Sequence, residues 1–495
     1  MIIGFLRTIN RLHNYYCSYP LRQPTRLLIP AALALVLLLS WCSGAAYAAL
    51  SPGVPLYEQQ WAVTGVAPWA APDLQFADQL LVDLGADYFR PIVTWSEVQP
   101  NGPEEWDWTR YDNIFNRYRA EGVKAWVMLN SGSAEWATDT SWLDSDPVKI
   151  PATDCPPRVL PALDSPITGT EPYYLFVYEL VRRYGDVVSL WLIDNEASEL
   201  WSWAGDGYSY ACMVRLAAAA IHDADPNAVA VLGAIPAGTL SNMVIADRMN
   251  DPSQQTFVVS YATKMWGRRV TMNTIRFTFN DPAFRMWDRV NFYRQALAVL
   301  NDVDALAGNV GGLHARNNLA ADDVWSYMDQ MTTHGGTLRP LVYTEINPLL
   351  VDPLAQAQAT TQLMLGSLAS GMMLGQAYFQ FIDGGVPDFP QPNTGLVTSS
   401  LTPKTPYYAY RNLISYLGSA AVAGSMNLSA PFTGYWFQTR EGVTIYTVWA
   451  SRTTTANLSK LIGAGKFTVV DMTGKRSLCD SRRIPASPSP VYIFR

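Results

Sequence analysis

Histidine and cysteine are scarce here: four and five in 495 residues, with no group of them at metal-ligand spacing. A zinc site is therefore not expected, and neither is any other metal or cofactor. Charge is sparse too. Charged residues make up 16 % of the chain and the net charge is −7, without a basic run of the kind that binds nucleic acid. What the chain has in quantity is apolar and aromatic: 49 % hydrophobic residues, with 17 Trp and 26 Tyr. Most of these aromatics pack a core, and some suit wet clefts as stacking platforms.

The one segment that reads as outside the fold is the N-terminus. Arg7, Arg11, Arg22 and Arg26 precede the apolar run Leu27–Ser40, followed by small residues and Ala46-Tyr47-Ala48. Basic, apolar and A-x-A regions in that order make an export signal, with the mature chain beginning near residue 50. An uncleaved membrane anchor is the alternative, since Leu27–Leu50 is long enough to span a bilayer. Either way the protein is expected outside the cell or at its surface. Cys17 and Cys42 fall in or before this segment, leaving Cys155, Cys212 and Cys479. An odd number allows one disulfide; Cys155–Cys212 is the preferred pair, against three unpaired buried thiols.

From Val63 onward, short apolar strands alternate with amphipathic helices. Strands are expected at 63–67, 88–93, 124–129, 190–196, 228–234, 304–312, 341–346 and 376–382. Helices at 73–84, 111–121, 172–184, 211–223, 288–300, 320–331, 354–369 and 406–417 separate them. Eight strand-then-helix units make an α/β fold, the (β/α)8 TIM barrel. Extra length falls after strands three, five and eight, on the face where barrel enzymes carry their sites. Beyond Gly418 short strands separated by turns imply a small C-terminal all-β, sandwich-like domain, with one edge completed by residues near the mature N-terminus. The expected division is 1–49 signal or anchor, 50–418 barrel and 419–495 β domain.

Two strands end in a carboxylate, an expensive group to place in an apolar run. The fourth, Leu190–Glu196, finishes in Asn195-Glu196, just before the aromatic loop Leu200–Trp203; the seventh, Leu341–Ile346, carries Glu345. Paired carboxylates at one barrel mouth suit general acid/base and glycosyl-transfer chemistry. Alternation puts Tyr343 and Glu345 on one face of strand seven, pointing into the mouth. On strand four it puts Asp194 beside Glu196 and Asn195 opposite. Asn195 and Glu196 both reach the site only if the strand end kinks or bulges. Asp194 is then either a rival carboxylate or an interior partner of a residue such as Arg90.

Asn195-Glu196 and Thr344-Glu345 in this order resemble the signature of clan A, the retaining glycoside hydrolases built on TIM barrels. The stretch Phe89–Pro100, with Trp106 and Tyr111-Asp112, is similar to the second-strand region of the β-xylosidase/α-iduronidase-like and β-galactosidase-like families. Thr394–Leu396, Pro403-Lys404, Tyr407–Tyr410 and the tail stretches Val470–Gly474 and Pro490–Ile493 extend the resemblance over most of the chain after Leu50. The resemblance implies Glu196 as general acid/base, Glu345 as nucleophile, Asn195 on the sugar 2-hydroxyl and Arg90 beneath the nucleophile. Two departures stand out. Where the clan has a Trp floor on strand eight, this chain has Tyr378-Phe379-Gln380-Phe381, so Phe379 or Phe381 takes that place. Strand six is a Gly-rich run to His314, a candidate substrate contact or a structural histidine. Trp69, Trp95, Trp136, Trp201 and Trp203 are candidate platforms around the mouth. The expectation is an exported retaining glycosidase acting on a β-linked oligo- or polysaccharide. Its rivals are an inactive barrel that only binds extracellular polysaccharide and a membrane-anchored interaction scaffold.

Overall fold

The structure, a computed structural model, describes residues 50–64, 74–132, 136–145, 154–199, 201–384 and 393–494. The export or anchor segment and Trp69 lie outside these residues. Among the described residues no helix is long and apolar enough to cross a membrane.

After a short strand β1 (Val54–Pro55), the parallel staves are β2 (Gln60–Thr64), β3 (Tyr88–Phe89) with β4 (Ile92–Thr94), β5 (Lys124–Asn130), β6 (Val188–Asn195), β7 (Ala230–Pro236), β8 (Ala305–Gly311), β9 (Leu341–Asn347) and β10 (Met373–Phe379). They pair in chain order. β10 also pairs with β2, as Gln376↔Trp61 and Ala377↔Ala62, and β3 bridges β2 to β5. The sheet is therefore a closed eight-stave barrel, as the strand and helix alternation predicts. β3 and β4 are halves of one stave, interrupted at Arg90-Pro91. Pro91 has no N–H for the ladder, although its carbonyl still accepts from the Met128 N–H at 2.9 Å.

One apolar cluster fills the barrel: Ala62, Trp126, Met128, Leu190, Leu192, Val231, Ala305, Ala307, Val342 and Ala377, contributed by seven of the staves. Alanines face the single large ring, Trp126, and so fill the lumen without crowding it. Gly375 is required beside that ring, because a Cβ there would stand 2.6 Å from it. The Trp126 indole N–H is satisfied by Gln60 Oε1 at 2.7 Å.

Helices follow the staves, with starts that the sequence encodes locally. Asp206 caps Gly207–Ala224 through the Ser209 N–H, and Asp352 caps Pro353–Leu368 through the Ala355 N–H. The roughly seventy residues between β7 and β8, read from sequence as polar and aromatic with one closing helix, are helical for most of their length. They form Ala237–Arg248, Gln255–Met265, Met272–Asn280 and Met286–Ala296. Thr271 caps Met272–Asn280, while Asp251 and Asp281, each followed by Pro, cap the short 3-10 turns Pro252–Gln254 and Pro282–Phe284 that precede the second and fourth of these helices.

The C-terminal strands β11 (Ala420–Ser425), β12 (Phe432–Thr439), β13 (Thr444–Ala450), β15 (Lys466–Asp471), β16 (Arg476–Asp480) and β18 (Val491–Phe494) form an antiparallel sheet. Its order is β1-β11-β12-β13-β18-β15-β16, so β1 supplies the expected edge from the N-terminal side. β14 (Thr454–Ala456) and β17 (Ile484–Ala486) pair separately. The sheet region rests on the last two barrel helices. Gln362 Nε2 donates to the Pro488 carbonyl at 2.6 Å, Asn412 Nδ2 to the Met472 carbonyl at 3.1 Å, and the Tyr416 ring packs 5.0 Å from Tyr492. Cys155 and Cys212 are not bridged; both are buried, so the preferred disulfide is absent.

Because Trp126 is the largest side chain in the lumen cluster, Trp126→Ala should lower the unfolding free energy by about 3–5 kcal/mol, read by urea denaturation.

Candidate active site

Strict alternation would keep Asp194 pointing inward after Leu190 and Leu192. The backbone breaks there instead. Asp194 has φ +67° and Glu196 φ +50°, two left-handed residues flanking Asn195. Such residues persist only where their surroundings hold them. Here Asp194 Oδ1 accepts from the Asn195 N–H at 2.5 Å, and Ser202 Oγ donates to the Asn195 carbonyl at 2.7 Å. The Glu196 N–H donates to the Ala234 carbonyl at 2.9 Å. Gly233 makes the neighbouring stave thin enough: a Cβ there would lie 2.4 Å from the Asp194 carbonyl oxygen. The break that the sequence reading required is present, and it frees Asn195 and Glu196 from the strand's two-residue period.

β9 solves the same problem with a bulge. Gly308 pairs with Tyr343 and Asn309 with Glu345, leaving Thr344 without an opposite residue. Val342 belongs to the lumen cluster, so unbroken alternation would turn Tyr343 and Glu345 outward together. The bulge re-aims Glu345 alone. Its carboxylate forms an ion pair with Arg90, held at the interruption between β3 and β4. Tyr343 is fully buried and packs 5.9 Å from Tyr327 of the helix Ala320–Gln330; it does not line the mouth as alternation implied.

Asn309, at the end of β8, joins the two halves of the site. Its Nδ2 donates to Glu196 Oε1 at 2.8 Å and to Asn195 Oδ1 at 3.2 Å, while its Oδ1 accepts from Thr344 Oγ1 at 2.7 Å. Sequence reading missed this residue. An amide in the apolar run Ala305–Val310 was the available signal, masked by attention to His314.

The two glutamates are unlike. Burial, reinforced by the nearby Glu345 charge and opposed by the Asn309 hydrogen bond, pushes the Glu196 carboxyl up to about 7. Asp194 is not the partner of Arg90. It lies buried near Asp154, and burial first and that neighbouring charge second hold its carboxyl well above the usual range. Asp154 is tied to the loop after β5 by Asn130 Nδ2 at 2.8 Å and the Gly132 N–H at 2.7 Å.

Several other expected contacts fall elsewhere. Trp95 is wholly buried, within 5.2–6.0 Å of Trp136, Tyr173 and Phe176, with its N–H on Gln99 at 2.7 Å. It is framework and not a platform. Trp136 lies edge-on to it, half-buried, donating to the Gln99 carbonyl at 2.8 Å. Trp203 is buried against Tyr210. Trp201, in the loop after Glu196, is exposed. Phe381 is fully buried, whereas Phe379, at the very end of β10, is partly exposed. His314 is buried, its Nδ1 2.6 Å from Asp323 Oδ1. Burial is the largest single influence and pulls its pKa down, but the Asp323 charge, the Asp323 hydrogen bond and the Asp322 charge together outweigh it and leave it raised. Its observed partner is thus Asp323, not a glutamate of the site.

No protein-family model matches the sequence, and no curated protein does. Solved structures share the fold. The chain is similar to a family 39 glycoside hydrolase from the gut symbiont Bacteroides cellulosilyticus, with TM-score 0.57 and 15 % identity over 88 % of this chain and 81 % of that one. It is also similar to a family 39 β-xylosidase from Caulobacter crescentus, with TM-score 0.53 and 16 % identity over 90 % and 97 %. A family 30 endoxylanase from Clostridium papyrosolvens aligns with TM-score 0.51 and 12 % identity over 89 % and 96 %. At such identities the likeness is one of fold.

The Asn309 hydrogen bond favours the charged form of Glu196. Asn309→Ala should therefore move the Glu196 titration midpoint upward from about 7, as followed by carbon NMR of carboxyl-labelled glutamate.

Proposed function

We propose that this protein is an exported retaining glycoside hydrolase that cleaves β-linked oligo- or polysaccharides. The observation that carries the reading is the pairing of unlike carboxyls at one barrel mouth. Glu196, from strand four, keeps its proton up to about pH 7, while Glu345, from strand seven, is ion-paired with Arg90. A glycosidase of this kind needs one protonated acid and one carboxylate nucleophile. The shared fold with family 39 and family 30 glycoside hydrolases supports it. Export rests on the order of basic, apolar and A-x-A segments before Leu50.

In the first step Glu196 gives its proton to the glycosidic oxygen as Glu345 attacks the anomeric carbon. The aglycone leaves and a glycosyl ester forms on Glu345. That ester carries no charge, so one of the causes that hold Glu196 protonated disappears. Glu196, now a carboxylate, takes a proton from water, which attacks the anomeric carbon, breaks its bond to the Glu345 oxygen and releases the Glu345 carboxylate. Asn195, braced by Asn309, is placed to bind the sugar 2-hydroxyl. Arg90 receives Glu345 when its carboxylate is regenerated.

Glu345→Gln should abolish turnover of an aryl β-glycoside by several orders of magnitude with the fold intact. Glu196→Gln should do so for an unactivated substrate and spare much of the first step when the leaving group is good. Normal hydrolysis of an unactivated substrate by Glu196→Gln would overturn the acid assignment, and an inverted first-formed anomer in the proton NMR spectrum would overturn retention.

The pH dependence has a fixed sign. The raised carboxyl must be protonated to act, so kcat/KM should fall as pH rises through about 7, measured on an unactivated substrate.

A further inference from the structure

Glu196 has a third carboxylate for a neighbour. The chain turns sharply after it. The Glu199 N–H donates to the Glu196 carbonyl at 2.8 Å, and the Ser202 N–H to the Glu199 carbonyl at 3.0 Å. The Glu199 side chain is only 20 % exposed, and its Oε2 accepts from the Arg289 guanidinium at 2.8 Å. Arg289 belongs to the helix Met286–Ala296, the last of the long insertion between β7 and β8. One turn on, the same helix presents Tyr293, fully buried, whose hydroxyl accepts from the Ser198 N–H at 3.4 Å. One insertion helix thus grips the loop that carries the acid/base at two adjacent residues.

The groups facing Glu196 come from six places. Glu345 comes from β9, Arg90 from the interrupted stave and Asn309 from β8. Glu199 comes from its own loop, Tyr293 from the insertion helix, and Tyr327 from the helix Ala320–Gln330. Two of these, Glu345 and Glu199, are negative and oppose the loss of the Glu196 proton. In the glycosylated enzyme only the second keeps its charge. Arg289 is ion-paired with that charge and offsets it.

Taking the glycosidase reading as its basis, we propose that Glu199 and Arg289 are positioning residues. Through them the insertion helix sets how firmly Glu196 holds its proton in the first step and how strong a base it is in the second. The Glu199 carboxylate tightens Glu196's hold and the Arg289 guanidinium loosens it, so the two ends of one ion pair act in opposite senses. A purely mechanical clamp lacks this property: cutting it at either end would have the same effect.

The test compares Glu199→Gln with Arg289→Met, which keeps most of the side-chain stem. The Glu196 midpoint is read by carbon NMR of carboxyl-labelled glutamate, assigned by its loss in Glu196→Gln, and the alkaline limb of kcat/KM is read beside it. Glu199→Gln should lower both by about half a pH unit and Arg289→Met should raise both by a similar amount. Arg289→Lys, which keeps the charge, should restore the native midpoint and shows whether any loss in Arg289→Met is one of folding. Shifts of the same sign in the first two variants, or none in either, overturn the proposal. The NMR midpoint needs no substrate. Opposed shifts in a protein that hydrolyses no glycoside would refute the glycosidase reading, and hydrolysis without opposed shifts would refute this inference alone.

Discussion

Two carboxylates facing one another in a desolvated barrel mouth cannot both carry an unbalanced charge. The site is organised around that constraint. Arg90 pairs with Glu345, and Glu196 responds by holding its proton to about pH 7. Asn309 keeps Glu196 from rising further by donating to it, and braces Asn195 with the same amide. The difference between the two glutamates is thus a property of their neighbours, because both begin as the same side chain at the end of a parallel strand.

Delivering these groups required breaking the regularity of the strands that carry them. A strand presents alternate residues to one face, and the lumen of this barrel is apolar. On β6 two left-handed residues turn Asn195 and Glu196 out of register; on β9 an unpaired Thr344 turns Glu345. On the second stave Pro91 interrupts the ladder next to Arg90. The break on β6 is braced by residues with no chemical part of their own: Gly233, whose missing side chain admits the Asp194 carbonyl, and Ser202, which ties the loop back to Asn195. The irregularities lie at the barrel mouth, and the packed lumen below holds them in place.

Two regions outside the staves pack against the barrel. The insertion after β7 folds as helices and returns Arg289 and Tyr293 to the loop that follows Glu196. The C-terminal sheet takes its first strand from residues that precede the barrel, and rests on the helices that follow β9 and β10. These contacts lie on the outer helical layer.

The barrel was legible because its signals are local. Alternating apolar runs and helical periodicity, with caps such as Asp206 and Asp352, need only neighbouring residues to act. The two glutamates were legible because a charge in a buried strand is conspicuous. What periodicity misplaced was direction. It aimed Tyr343 into the mouth and left Asp194 as either a rival carboxylate or a partner of a residue such as Arg90, because the two-residue period carries no information about a bulge decided by the adjacent stave. Trp95, Phe381 and His314 were left open between site and core for a related reason: a side chain's type does not say whether the chain folds back over it. Asn309 was passed over since an amide gains meaning only from what lies across the lumen, here Glu196, Asn195 and Thr344. By itself, then, the sequence determined which elements form, their order and which carboxylates end the strands, since those follow from short-range pattern. The tertiary structure decided which of them meet, which face water and which glutamate keeps its proton, because burial and charge depend on neighbours remote in the chain.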